Sequence, residues 1–263
     1  MSAQAPVEHS GSAALRDKPG AWVDLGLTLP IFLAYHVGVV FLRVQNATDV
    51  VTGPMLRAAE GNRAVYLLMT ASIGVLFTLV FGIIGSGQAF RPTKFAQIAL
   101  EGVVYAVAMR MGAAYVVGHL FAADAGASGA RGTPQGPFVG LVMSLGAGFY
   151  EELAFRVLIF GLGTKVLVWV FAREPYGVVG NAPRHLTVRA LLVALGWALV
   201  SAVLFSGVHY VGAFGDTFAL QSFVFRLVLG LVLTLIFVTR GFAAAVWAHS
   251  LYDIWVLVLP SGA

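Results

Sequence analysis

The chain contains no cysteine. Disulfides, Cys-ligated zinc, iron–sulfur clusters and thiol nucleophiles are excluded, so any catalyst must draw on Glu, Asp, His or Ser. Charge is scarce as well, with 16 Lys+Arg and 12 Asp+Glu among 263 residues, 11% in all. A soluble domain carries roughly a quarter of its residues charged, and this deficit excludes a water-soluble fold. The 16 basic residues form no patch. They stand singly between apolar runs, as charges at membrane edges do, and nucleic acid is not an expected partner. No apolar core of signal-peptide length precedes residue 21, and the polar stretch 1–20 reads as a disordered tail.

What the chain has in abundance is apolar length. At 59% hydrophobic it holds about 155 apolar residues, enough for seven spans of about 20 residues with little left over. The expected fold is all-α, a polytopic transmembrane bundle of about seven to eight helices forming a single domain over 21–263. Helices are placed near 21–42, 64–85, 95–122, 138–171, 188–213, 219–239 and 241–259. The run at 138–171 is too long for one perpendicular span and must tilt, break or double back. Gly161 and Gly163 are the expected break, with a short piece from Lys165 to Val170 in the interface. The connections at 46–62, 85–94, 123–137 and 173–187 are polar and turn-rich.

With seven crossings, Arg16, Lys18, Arg91, Lys94, Arg173, Arg184, Arg189 and Arg240 fall on the N-terminal side and only Arg43, Arg57, Arg63 and Arg131 opposite. That imbalance predicts a cytoplasmic N-terminus. The Ala-, Gly- and Val-rich composition suits a GC-rich bacterium, so the expected location is a bacterial inner membrane.

An ionisable group at bilayer depth costs at least about 2.5–3.5 kcal/mol, which makes such groups the informative positions here. Glu151, Glu152 and Arg156 sit together inside an apolar run. Glu152 and Arg156 are four apart and can neutralise each other, while Glu151 points about 100° away without a local cation and is suited to general acid/base work. Read alone, the cluster is as readily a structural ion-pair knot. Two further pairs shift that balance. Phe205 and His209, and His249 and Asp253, are each four apart on one helical face. A hydrogen bond from His249 to Asp253 would fix the imidazole tautomer. Counting depth at about 1.5 Å per residue brings Glu151 and His249 to similar levels but leaves His209 about 30 Å from the cytoplasmic side, away from both.

Outside these pairs, Glu101, Arg110 and His119 share the third run and read first as core support, with a second polar stripe as the alternative. Arg226 is expected to snorkel or to pair with a motif carboxylate. Asp24 and His36 suggest nothing by themselves, and Trp22, Trp169, Trp197, Trp247 and Trp255 read mostly as lipid-facing or interfacial anchors.

The order EExxxR, FxxxH, HxxxD on successive membrane helices resembles the CPBP family: type II CAAX prenyl endopeptidases and bacteriocin-processing or immunity proteins, also called Abi. The resemblance covers about 138–259, and the earlier helices carry no matching motif. It implies an intramembrane endopeptidase in which Glu151 activates water and His209 assists. His249 and Asp253 stabilise the oxyanion, while Glu152, Arg156 and Phe205 support the site. Two positions depart from the family pattern: Val157 where many members have Gly, and Asp253 where Asn is commoner. An ionised Asp there would repel a developing oxyanion, so it is either protonated or orients His249.

No cofactor is expected. Zinc, held by Glu151, His209 and His249, is the alternative mechanism, although no HExxH occurs. The expected partners are the lipid bilayer and a membrane-anchored or lipid-modified protein or peptide, cut near its C-terminus, with prenylated substrates less favoured in a bacterium. Competing functions are a catalytically silent scaffold or immunity protein and a small ion-coupled transporter. The absence of an internal repeat counts against the transporter.

Overall fold

The computed structural model describes residues 18–121, 136–173, 187–212 and 215–259. The polar tail up to residue 17, most of the connections at 123–137 and 173–187, and Arg16, Arg131 and Arg184 of the charge count lie outside the described residues. Eight helices and no strand occur among the described residues: α1 Ala21–Leu42, α2 Thr52–Ala58, α3 Arg63–Ile84, α4 Pro92–Phe121, α5 Pro137–Ala172, α6 Val188–Val208, α7 Leu220–Arg240 and α8 Phe242–Leu257. Six are long and apolar enough to cross a membrane, and α8 is shorter at 16 residues. The protein is a polytopic helical membrane bundle, as its composition requires. The short α2 falls in what reads from sequence as a polar connection.

The bundle is built around α8, which packs on α1, α4, α5 and α7. Ala243, Ala244, Ala245, Val246 and Ala248 are fully buried. Small side chains let neighbouring backbones approach, the usual device for helix association where lipid is as apolar as the protein. Large apolar side chains such as Leu76 and Ile83 on α3, Leu100 on α4 and Leu192 on α6 point outward and remain exposed. In a soluble protein that much exposed apolar surface would drive association, whereas facing lipid it is stable.

Polar ties fix the start of α8. Its first amides have no partner within the helix, and the Ala243 N–H donates to Asp24 Oδ1 of α1 at 2.9 Å. Trp247 Nε1 donates to the Leu27 carbonyl, also on α1, at 3.2 Å. Arg240, the last residue of α7, holds Glu101 of α4 with Nε and Nη2 each at 2.7 Å. Glu101 is therefore core support, as expected. Arg110 instead stacks 4.9 Å from the Trp255 ring, and His119 donates to its own helix at the Tyr115 carbonyl. These three residues form no second polar site.

The expected break in the long run does not occur. α5 continues through Gly161 and Gly163 for 36 residues, and its middle, Ala147–Leu162, winds as a π-helix between two α-helical ends. The i→i+5 bonding packs more residues into each turn and loosens the hold on the carbonyls, which neighbouring helices then use. Trp197 Nε1 donates to the Ile159 carbonyl at 2.7 Å and Ser201 Oγ to the Phe155 carbonyl at 3.2 Å, both from α6. Trp197 and Trp247 thus tie helices together rather than anchoring at the lipid interface. Trp169, 68% exposed, keeps the lipid-facing role expected of it. Glycine permits the close approach at the start of the π segment. A Cβ on Gly146 would lie 2.3 Å from the Tyr35 ring, and one on Gly148 would lie 2.0 Å from Ser250 Oγ.

Candidate active site

Helices that alternate in direction bring specific ends together. The residue just past α6, the C-terminal part of α8, the N-terminal parts of α5 and α7, and the loop after α1 meet at one end of the bundle. There they enclose a cavity of about 190 Å³ whose polar lining includes Glu151, His209, Arg226, His249 and Asp253. His209 thus shares one cavity with Glu151 and His249, contrary to the depth count, which set it apart from both. α6 starts at Val188 as expected and ends at Val208, five residues short of the expected boundary, and His209 caps it beside Glu151 of α5.

Glu151 is the centre of the group. Its Oε2 lies 3.8 Å from His209 Nε2 and 3.9 Å from His249 Nε2, and this atom is buried without a hydrogen-bond partner among the described residues. Both imidazoles are held through their other nitrogen. His209 Nδ1–H donates to the Phe205 carbonyl at 2.9 Å. Because a carbonyl can only accept, the proton sits on Nδ1 and Nε2 is turned toward Glu151. His249 Nδ1–H donates to Glu152 Oε1 at 2.7 Å.

The partner of His249 corrects the sequence reading. Asp253 Oδ2 stands 3.6 Å from His249 Nε2, beyond hydrogen-bond reach, so Glu152 and not Asp253 orients the ring. Shared placement on one helical face brings the pair near, but the stronger acceptor comes from α5. Glu152, fully buried, is itself neutralised by Arg156, whose Nε is 3.2 Å from Glu152 Oε2 in an ion contact not aligned as a hydrogen bond. Arg156 also reaches the Gly230 carbonyl at 3.4 Å. Phe205 stands among these groups. Its ring is 4.2 Å from the Arg156 guanidinium carbon, and its centroid is 5.4 Å from His209 and 5.9 Å from His249. The aromatic residue of the second motif is thus a wall that positions both imidazoles and faces the buried cation.

Arg226 lines the cavity but does not pair with a motif carboxylate. Its Nη2 donates to Asp216 Oδ2 in the connection before α7, and its guanidinium lies 5.2 Å from the Tyr210 ring. Its Nη1 is buried and without a partner among the described residues.

The spacing of Glu151 and the two imidazoles determines what they can share. At 3.8 and 3.9 Å they are too far apart to bond directly, yet one water oxygen about 2.8 Å from each would fit between them. As a zinc set the donors are chemically suitable but too widely placed. Bonds of about 2.0–2.1 Å in a tetrahedron bring ligand atoms to about 3.4 Å of one another, and no group of three His, Asp or Glu among the described residues is arranged to hold a metal ion.

Two parts of the site escaped the sequence reading. Tyr150, next to Glu151, binds His36 Nε2 through its hydroxyl at 2.7 Å, and His36 Nδ1 meets the Tyr66 hydroxyl at 2.5 Å. This fully buried histidine joins α1, α3 and α5 directly behind the segment that carries Glu151. Asn46, from the loop after α1, enters the cavity lining. A single histidine in an apolar run and an asparagine in a polar loop carry no spacing signal that would reveal either.

Residues 133–255 match the family model described as Rce1-like, type II CAAX prenyl endopeptidase Rce1-like. That stretch contains all three motifs and, of the side chains placed in or directly behind the cavity, all but Asn46, His36 and Tyr66. Neither the comparison with curated proteins nor that with solved structures gives a match. Over this segment, a little under half of its length, the chain is similar to the Rce1-like type II CAAX prenyl endopeptidases, in keeping with the CPBP family that its motifs resemble.

Proposed function

We propose that the protein is an intramembrane glutamic endopeptidase that cuts a membrane-anchored or lipid-modified protein or peptide near its C-terminus. The family implies peptidase activity of the CAAX type. The observation that carries the mechanism is the unpartnered Glu151 Oε2 between two imidazoles whose Nε2 atoms face it.

Glu151 takes a proton from a water held between it and His209. The water oxygen bonds to the scissile carbonyl carbon, and the carbonyl electrons move onto oxygen. His249 sits between two carboxylates, Glu152 and Asp253. As an imidazolium it donates from Nε2 toward the developing charge while Nδ1–H stays on Glu152. Collapse of the tetrahedral intermediate breaks the C–N bond, and Glu151 returns its proton to the leaving amine. Glu152, Arg156 and Phe205 act by holding the imidazoles. Asp253 does not orient His249, and a carboxyl that retains its proton at this position avoids repelling the oxyanion.

The free Nη1 of Arg226 at the cavity wall supports cleavage near a chain end, since it suits the α-carboxylate of a short C-terminal segment. The composition supports a bacterial inner membrane and the charge count a cytoplasmic N-terminus, in which case the cavity opens at the opposite face.

The test is Glu151→Ala in cells lacking the native gene, with the termini of the membrane proteome compared against wild type. Loss of a defined C-terminal cut supports the peptidase. Unchanged termini together with loss of a co-purifying partner would favour the silent scaffold.

A further inference from the structure

Glu151 must be free to accept the water proton, and His209 has committed its Nδ1 proton to the Phe205 carbonyl. His249 supplies one donor to the oxyanion, and a second donor that does not compete for the catalytic proton completes such a hole. Asn46 is the amide side chain in the same cavity lining, and it comes from the loop after α1, outside the segment that matches the family.

The loop fixes which way that amide faces. Asn46 is 7% exposed. Its Oδ1 accepts from the Thr48 N–H at 2.8 Å and from Thr48 Oγ1 at 2.6 Å, which turns Nδ2 to the other side. Nδ2 has no hydrogen-bond partner among the described residues. The backbone is clamped as well. The Asn46 N–H donates to the Tyr35 hydroxyl at 2.9 Å, and that hydroxyl donates to Asp49 Oδ2 at 2.8 Å. Asp49 in turn caps α2 by accepting from the Val51 and Thr52 amides, each at 2.9 Å. Tyr35 is fully buried against Gly146, at the start of the π segment that carries Glu151. Loop and nucleophile-activating helix are therefore held by one set of contacts, the preorganisation an oxyanion donor requires.

We propose that Asn46 donates the amide hydrogen bond that holds the scissile carbonyl oxygen, and the oxyanion it becomes, in the catalytic cavity. The assignment rests on the peptidase reading above. As the water oxygen bonds to the carbonyl carbon and Glu151 takes the water proton, the displaced electron pair lands on the oxygen facing Asn46 Nδ2. It returns to the carbon when the C–N bond breaks.

Asn46→Asp replaces only Nδ2 and keeps an acceptor for both Thr48 groups, while Asn46→Ala removes the whole amide without adding charge. The substrate is the membrane protein whose terminus changes between wild-type and Glu151→Ala cells, and the probe is a synthetic peptide spanning that cut, titrated against purified protein. Both Asn46 variants are expected to lower kcat about 10²–10³-fold, with KM within about threefold of wild type and unfolding temperature near wild type for Asn46→Asp. Unchanged termini in Glu151→Ala cells would overturn the peptidase reading and this assignment with it. If Glu151→Ala abolishes the cut while both Asn46 variants turn over at the wild-type rate, the Asn46 assignment falls and the peptidase reading stands.

Discussion

His249 Nδ1 lies 2.7 Å from Glu152 Oε1, across two helices and 97 positions of sequence, while Asp253 on its own helix stays 3.6 Å from the other ring nitrogen. The second glutamate of the motif is thus the residue that aims the imidazole, and the third motif's acid is left facing the cavity. Glu152→Gln keeps the shape but weakens the charge-assisted bond. It is expected to lower kcat about 10–100-fold, the range typical of losing a carboxylate that orients a functional histidine. Asp253→Asn is expected to retain at least the wild-type kcat. Initial rates on the substrate peptide separate the two, and a larger loss for Asp253→Asn than for Glu152→Gln would reverse the assignment.

Phe205 contributes by contact rather than chemistry. Phe205→Leu removes the ring that faces the Arg156 guanidinium and both imidazoles. A loss of about 1–3 kcal/mol in stability is expected from the missing cation–π and aromatic contacts together. Thermal unfolding in detergent measures it, and an unchanged midpoint would show that the ring is not a structural wall.

Asp24 was unremarkable in the sequence, yet its Oδ1 accepts from the Ala243 amide at the start of the central helix. Asp24→Ala leaves that amide without a partner. Removing a helix-terminal acceptor typically costs about 1 kcal/mol. The expected result is a lowered unfolding midpoint with little change in KM, read by unfolding and by peptide titration on the same preparation.

Arg226 supplies a test of where the cut lies. If its free Nη1 meets the terminal carboxylate, a substrate peptide amidated at its C-terminus should show a KM raised about tenfold or more for wild-type protein, equivalent to about 1.4 kcal/mol. Arg226→Gln should respond equally to the acid and the amide. Equal KM for both peptides in the wild type would remove Arg226 from recognition.

The water-activating role proposed for Glu151 also predicts the response to metal removal. Purified protein is expected to keep its activity in chelator and to contain no stoichiometric metal. Activity lost in chelator and restored by zinc would replace the glutamic mechanism with a zinc site on Glu151, His209 and His249.

Much of this site was legible because membrane helices turn local spacing into geometry. Charged and imidazole side chains are expensive in lipid, so Glu151, Glu152, Arg156, His209, His249 and Asp253 stood out of their apolar runs, and pairs four apart shared a face. The same rule misled where the deciding contact was between helices. It put His249 with Asp253, although Glu152 of α5 is closer. The π winding of α5 was not legible, because an apolar stretch has nearly the same pattern with i→i+4 or i→i+5 bonds, and the run was expected to break at Gly161 and Gly163 instead. The depth of His209 was misjudged although α6 starts at Val188 as expected, because counting residues from an assumed membrane edge takes no account of how helices tilt and stagger against one another. The roles of His36 and Asn46 depend on which helices become neighbours, and one-dimensional periodicity does not contain that information.

The account stands on Glu151, His209 and His249 acting as one hydrolytic unit, and combined substitution measures this directly. Residues that act together are strongly non-additive. The predicted result is that Glu151→Ala, His209→Ala and His249→Ala each reduce kcat/KM on the substrate peptide by at least about 10³-fold, with the triple variant scarcely slower than the worst single one. Single losses that multiply in the triple variant, or a His209→Ala protein that cleaves at the wild-type rate, would contradict it.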